Sequence, residues 1–364
     1  MRFRYGEWDE ELFNRLKQFK DLFSLFNYLV LQTSGDVDTA LEYMRYLQQQ
    51  GLISYDYDLD EFERKLKEDE VIRIDRGQRK LTRKGERKIR ADSLNMIFSS
   101  LRKGGVGEHR TPYEGGASPE LLPETKPYQF GDNPRQIDFN VSISNAIKRK
   151  GLAEICLGEE DLEVHETENL TSCATVLLLD VSHSMVLYGE DRITPAKQVA
   201  LALSELVLTQ YSKDSLNVVL FGDEAWEVKI KDLPYVGAGP YYTNTKAGLE
   251  MARRILARKR HPNKQIFMIT DGKPSVVRRS NGQLYRNPLG LDPIIVNLTL
   301  NEAVVCRKRR IPITTFMVTS DPYLQRFVRR LTELNKGRAY FTPPGAVGGY
   351  LFWDFIANRR RRVR

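Results

Sequence analysis

Five residues of this 364-residue chain carry hard oxygen donors where chemistry can be done: Asp180, Ser182, Ser184, Thr243 and Asp271. Asp180 follows the apolar run Ala174–Leu179, and the segment continues Val181-Ser182-His183-Ser184-Met185. Asp271-Gly272 follows a second apolar run, Gln265–Thr270, and Tyr241-Tyr242-Thr243-Asn244-Thr245 stands just before a helical pattern. Open α/β sheets bind ligands at the carboxyl ends of their strands, so the five residues are expected to converge at one sheet edge. Residues two apart in an extended turn present side chains to the same side, which suits Asp-x-Ser-x-Ser. Two carboxylates and three hydroxyls, with no thiolate or imidazole required, fit Mg2+ or Mn2+ better than Ca2+. Such a site keeps residual positive charge and a coordination position that accepts an acidic side chain from a partner.

The neighbours of these donors have simpler readings. Asn244, Thr245 and Gly272 supply a helix N-cap and turn geometry. His183 reads as a rim residue that touches a partner or solvent, and Tyr241 and Tyr242 either frame the site or pack in the core. Other chemistries lack their residues. Cys156, Cys173 and Cys306 are odd in number and far apart without a CxxC, which argues against a disulfide framework or a Cys-rich zinc site. The four histidines stand singly, and neither a GxxxxGK[ST] loop nor a GxSxG elbow occurs. Ser182 and Ser184 have only His183 nearby, and alternation points it away from them. The metal is therefore expected to be a binding device in a non-enzymatic protein.

The elements that would position these residues alternate from residue 171 onward. Strand patterns at Ala174–Leu179, Leu216–Phe221, Ala225–Ile230, Gln265–Thr270, Ile313–Thr319 and Arg338–Phe341 alternate with helical patterns. The helical stretches are Ile193–Tyr211, Lys246–Arg260, Leu298–Arg310, Pro322–Asn335 and Tyr350–Ala357. This predicts an α/β fold: a doubly wound, mostly parallel sheet covered on both faces. Residues 1–34 read as one helix with Leu12, Leu16, Phe19, Phe23, Phe26 and Val30 on a single face. Helices at Thr39–Gln50 and Leu59–Lys67, then a Gly-turned β pair, give a smaller, mainly helical, winged-helix-like region. Gly and Pro between 101 and 136 are expected to break any regular element there. Asn140–Lys150 reads as helix and Leu162–Thr167 as strand. The expected divisions are 1–100, a 101–170 linker and preceding element, 171–358, and a basic tail at 359–364.

Lys+Arg is 56 and Asp+Glu 48, a net charge of +8, with 41% hydrophobic and 29% charged residues. This excludes a collagen or a wholly disordered chain. Met1–Leu12 lacks the apolar core of a signal peptide, and no run reaches about 18 apolar residues. A cytoplasmic protein without membrane attachment is the expectation.

The order Asp-x-Ser-x-Ser, then a distant Thr in Thr-Asn-Thr, then Thr-Asp-Gly resembles the metal-ion-dependent adhesion site of von Willebrand factor A domains, including integrin I domains. The resemblance covers about residues 171–357; His183 stands where that family usually has Gly. It implies a Mg2+ site at Asp180, Ser182, Ser184, Thr243 and Asp271. The segment Tyr128-Gln129-Phe130-Gly131-Asp132-Asn133-Pro134-Arg135-Gln136-Ile137-Asp138-Phe139 resembles an element that precedes the A domain in bacterial proteins associated with MoxR-type AAA+ ATPases. Similar A domains occur in a magnesium chelatase subunit that also works with an AAA+ motor. The resemblance implies an adaptor whose metal captures an Asp or Glu of a client or of such an ATPase, in remodelling or in metal or cofactor insertion. Arg135 would pair with Asp132 or Asp138 to pin the linker. The alternative is a Ro-like nucleic-acid-binding protein using Arg307-Lys308-Arg309-Arg310, Arg329-Arg330 and the arginine tail.

Overall fold

The computed structural model describes residues 21–103, 120–128, 137–151, 157–168, 172–189, 191–239, 242–279, 282–287, 289–319 and 321–359. The chain forms two compact units, one of Met1–Gly107 with Cys173–Asp354 and one of Glu108–Ser172 with Phe355–Arg364.

In the first unit, α1 (Leu22–Gln32), α2 (Val37–Gln49) and α3 (Leu59–Glu68) each start at an aspartate. Asp21, Asp36 and Asp58 accept hydrogen bonds from the first free backbone amides, which is why the helices begin there. The single helix expected over 1–34 is thus corrected to one that begins at Leu22; its earlier part lies outside the described residues. The hairpin β1 (Ile72–Asp75) and β2 (Gln78–Leu81) turns through Arg76 and Gly77, both at positive φ. The 21-residue helix α4 (Arg83–Lys103) follows. The sequence pattern runs the second member of its β pair over Lys80–Gly85 and starts the linker at 101; the strand instead ends at Leu81 and the helix runs to Lys103. Gly85 instead lies in the first turn, where its N–H donates to Thr82 Oγ1 at 3.0 Å. A Cβ on Gly85 would stand 2.3 Å from the Val71 carbonyl oxygen.

The central sheet has the order β12-β11-β8-β5-β6-β7. Its strands are β5 (Cys173–Asp180), β6 (Ser215–Phe221), β7 (Ala225–Val228), β8 (Asn263–Thr270), β11 (Ile313–Met317) and β12 (Arg338–Phe341). All pairs are parallel except the edge pair of β6 and β7. This is the mostly parallel α/β architecture that the sequence predicted, with a helical N-terminal region. One sheet face packs Val176, Leu178 and Met268 against helices α7 (Thr245–Ala257), α8 (Pro293–Lys308) and α9 (Pro322–Asn335). Helix α8 starts five residues earlier than expected because Asp292 caps it and Pro293 occupies its first position. A short hairpin, β9 (Val276–Arg278) and β10 (Leu284–Arg286), was not anticipated.

Helix α6 (Ile193–Gln210) lies between the sheet strands β5 and β6 and the N-terminal helices α1 and α4. Residues 199–204 of it are all buried, so it is covered on every side. Arg90 of α4 pairs with Glu205 of α6 at 3.1 Å. Lys197 of α6 donates through Nζ to the carbonyls of Leu31 and Val236. Helix α10 (Val347–Arg359) closes the chain, and its Asp354 accepts from Arg338 and Tyr340 of β12.

In the second unit, β3 (Glu120–Pro127) pairs antiparallel with β4 (Glu163–Glu168). This corrects the expectation that residues 101–136 hold no regular element. Pro123 has no N–H to offer a ladder, and it falls inside the register shift between Leu121 and Thr125. Asp138 caps α5 (Phe139–Lys150).

Candidate metal centre

Strand β5 is buried along its whole length and delivers Asp180 at its carboxyl end. The chain then turns into a short 3-10 helix, His183–Gly189, which returns Ser182 and Ser184 toward Asp180. The Ser182 N–H donates to Asp180 Oδ1 at 3.0 Å, and the Ser182 and Ser184 hydroxyl oxygens are 3.0 Å apart. Ser184 in turn hydrogen-bonds Asp271. Asp271 follows the adjacent strand β8, and its Oδ1 accepts from the Lys273 N–H at 3.1 Å. Gly272 makes the turn at φ +84°, where a Cβ would press on Met317 and Val328 at about 3 Å.

Thr243 comes from the segment before α7. Its N–H donates to Ser275 Oγ at 2.9 Å, and its carbonyl accepts from the Ser275 N–H at 3.0 Å. Among the described residues, Thr243 is tied to Ser275, four residues beyond Asp271 in the chain, and makes no hydrogen bond of its own to either carboxylate. Asn244 caps α7 through the Ala247 N–H and donates from Nδ2 to the Asp223 carbonyl. Asp180, Ser182, Thr243 and Asp271 are buried, and Ser184 is half-buried.

Two residues that the sequence reading did not single out support the centre. Thr270 Oγ1 donates to Asp180 Oδ2 at 2.6 Å, and Ser275 carries Thr243. Thr270 was legible as the first residue of Thr-Asp-Gly. Asp223 follows the end of β6, where the strand-end rule also points; its Oδ1 accepts from the Tyr242 N–H at 2.9 Å. Tyr242 is half-buried, with the Arg286 guanidinium 5.4 Å from its ring centre. His183 is exposed. Tyr241 lies outside the described residues, as do Gln129–Gln136 with Asp132 and Arg135.

The electrostatics set what the centre can do. Burial, and then the Asp271 charge, push Asp180 up to about 7. Burial also raises Asp271, against hydrogen bonds from Ser184 and Lys273 and the positive charges of Arg192 and Lys273. Two such carboxylates hold their negative charge poorly unless a cation neutralises them. Among the described residues no group of three His, Cys, Asp or Glu side chains that could hold a metal gathers. Carboxylates with hydroxyls beside them are donors that suit a hard divalent cation better than a zinc-type ion.

The family model for the vWA domain of Rv0959-like proteins matches residues 173–356, just over half of the chain. The chain belongs to this family. A second model, for the third domain of the same proteins, matches residues 120–167, the second unit's hairpin and helix. The uncharacterized protein Rv0959 of Mycobacterium tuberculosis is 30% identical over 352 residues, covering 94% of this chain and 48% of that protein. The uncharacterized protein Mb0984 of Mycobacterium bovis matches to the same extent. The chain thus spans about half the length of the curated relatives it matches. Among solved structures, the vWF domain of the pilus tip protein Mfa5 from Porphyromonas gingivalis is 14% identical with a TM-score of 0.43, over 54% of this chain and 99% of that one. BatB from Bacteroides thetaiotaomicron is 13% identical with a TM-score of 0.38, over 52% and 99%. At that overlap neither bears on what this chain binds. Among the described residues no helix is long and apolar enough to cross a membrane.

Proposed function

We propose that this chain is a non-catalytic, cytoplasmic adaptor that takes up Mg2+ at Asp180, Ser182, Ser184, Thr243 and Asp271 and uses it to capture a carboxylate of a partner protein. The observation that carries this reading is the pair of buried carboxylates, both raised toward protonation and linked through two serine hydroxyls 3.0 Å apart. When bound, Mg2+ supplies a coordination position to which an Asp or Glu side chain can add. The protein's own residues do the rest. Thr270 and the Ser182 amide hold Asp180, Lys273 and Ser184 hold Asp271, and Ser275 keeps Thr243 in place. Exposed His183 and half-buried Tyr242, next to Ser182 and Thr243 in the chain, are the residues we assign to contact with a captured segment. The partner we favour is a MoxR- or chelatase-type AAA+ ATPase or its client, on the likeness of residues 128–139 to the element noted above.

Thermal unfolding in EDTA and in excess Mg2+ tests the site. A cation present at about 100 times its dissociation constant adds about 2.7 kcal/mol of stability, which raises the melting temperature of the wild type. Asp180→Ala should not respond. An unresponsive wild type, in Mg2+ and in Mn2+, sinks the metal reading. A pull-down in Mg2+ and nucleotide tests the partner: an AAA+ ATPase should be recovered by the wild type and lost with Asp180→Ala or EDTA. Its absence from the wild-type fraction sinks the ATPase assignment.

A further inference from the structure

The hairpin β1–β2 and the start of α4 concentrate positive charge. Residues 72–90 hold nine Lys or Arg and two acidic side chains, Asp75 and Glu86. Five of these cations are matched: Arg79 by Asp38 and Glu63, Lys80 by Asp75, Lys84 by Glu70, Lys88 by Asp69, and Arg90 by Glu205. Arg73, Arg76, Arg83 and Arg87 are exposed and have no carboxylate partner among the described residues. Arg73 and Arg83, with Thr82 between them, line two adjoining concavities of about 560 and 590 Å³. Arg83 and Arg87 are one helical turn apart, about 5–6 Å, on one face of α4. Arginines in the first turns of a helix also add charge to the positive end of its dipole, a cost that an anion relieves.

We propose that this basic groove is a nucleic-acid site that grips the phosphodiester backbone without reading sequence. One observation selects this occupant over an acidic protein. The groove offers little for a protein partner to bury: of its lining residues, only Ile74 and Tyr235 expose apolar or aromatic surface, and the Tyr235 hydroxyl is held by Glu86. Protein interfaces need apolar anchors at their centre, whereas nucleic-acid interfaces are dominated by positive charge. Helix α3, beside the hairpin in the chain, bears on whether sequence is read. Its cations Arg64, Lys65 and Lys67 are each paired within the helix, while Asp60, Glu61 and Glu68 stay exposed. Those carboxylates are themselves paired, Asp60 with Arg45, Glu61 with Lys65 and Glu68 with Arg64, so α3 offers no unmatched cation with which to enter a groove and read base edges. Contact is left to Arg73 and Arg83 in the groove, to Arg76 and Arg87 exposed on the same hairpin and helix, and to the backbone.

Fluorescence anisotropy of the full chain with labelled mixed-sequence duplexes of about 24 base pairs tests this. Binding is expected at low salt. The slope of log affinity on log salt should be about −3 to −4 for four phosphate contacts. Arg73→Gln with Arg83→Gln should weaken binding about tenfold or more and lower the slope by about two, equally on every sequence. Both side chains are exposed and unpaired, so the variant's melting temperature should match the wild type and exclude misfolding. Arg307→Gln with Lys308→Gln, a basic pair at the end of α8, should leave binding unchanged. No binding at low salt overturns the proposal, and so does equal loss in both double variants. A tenfold preference among duplex sequences overturns the backbone-only reading. Polyglutamate that displaces the duplex at equal charge overturns nucleic acid in favour of an acidic protein.

Discussion

Lys197 is a cation buried where α6, the end of α1 and the Val236 segment meet. Burial pushes its ammonium down to about 8 from an ordinary value of 10.5, against the opposing pull of Asp191. Between those values the unfolded chain keeps a proton that the folded chain has lost. Stability therefore rises with pH from about 8 to about 10.5, and this contribution is flat below that window. The whole gain is about 3 kcal/mol, from roughly 1.4 kcal/mol per unit. Lys197→Met should remove it: urea unfolding at pH 7.5 and pH 10 should show a wild-type gain that the variant lacks, and equal gains in both chains would refute the assignment. Lys197 was not legible in the sequence, because nothing in Ala196-Lys197-Gln198 announces two carbonyls from distant segments. That Asp180, Ser182, Ser184 and Asp271 come together was legible for the opposite reason: the strand-end rule restricts their places. Ser275 escaped because its part is set by the backbone it meets rather than by its own kind.

Elements were read well where local chemistry marks both ends. Helix α9 has Asp321 as cap, Pro322 in its first position and Lys336 in the left-handed region at its close, and its limits match the sequence pattern. Helix α4, β3 and the β9–β10 hairpin were missed because their local signals conflict. Gly85 and Pro123 look like breakers, yet one is demanded by close packing and the other sits in a bulge. Gly85→Ala gives the packing claim a measurable form. The added methyl meets the Val71 carbonyl oxygen at 2.3 Å and its carbon at 3.1 Å, backbone atoms that cannot swing aside as a flexible side chain would. A loss of about 2–4 kcal/mol is expected, seen as a lower melting temperature by calorimetry. An unchanged melting temperature would mean that β1 and α4 separate more easily than their packing implies.

At the scale of the molecule, the N-terminal helices and the sheet share one helix. Twelve of the 18 residues of α6 are buried, on all its faces. A chain beginning at Glu108 keeps the sheet but loses α1 to α4, and so bares a long apolar stripe. It should bind a hydrophobic dye strongly and aggregate, whereas the full chain should not; a clear, dye-silent fragment would show the sheet to be self-sufficient. The alternation of strands and helices made the sheet legible from residue 171 onward. The shared core was not, because an apolar helix reads the same whether one side or both are covered. That sharing also sets a timetable for synthesis. Helix α4 is complete at Lys103, but its partner α6 is not finished until Gln210. At ordinary elongation rates the nascent N-terminal helices wait roughly 5–20 s with their apolar face uncovered. Over that interval the newborn chain depends on the ribosome's surroundings, or on a chaperone, to keep its first hundred residues from sticking to others.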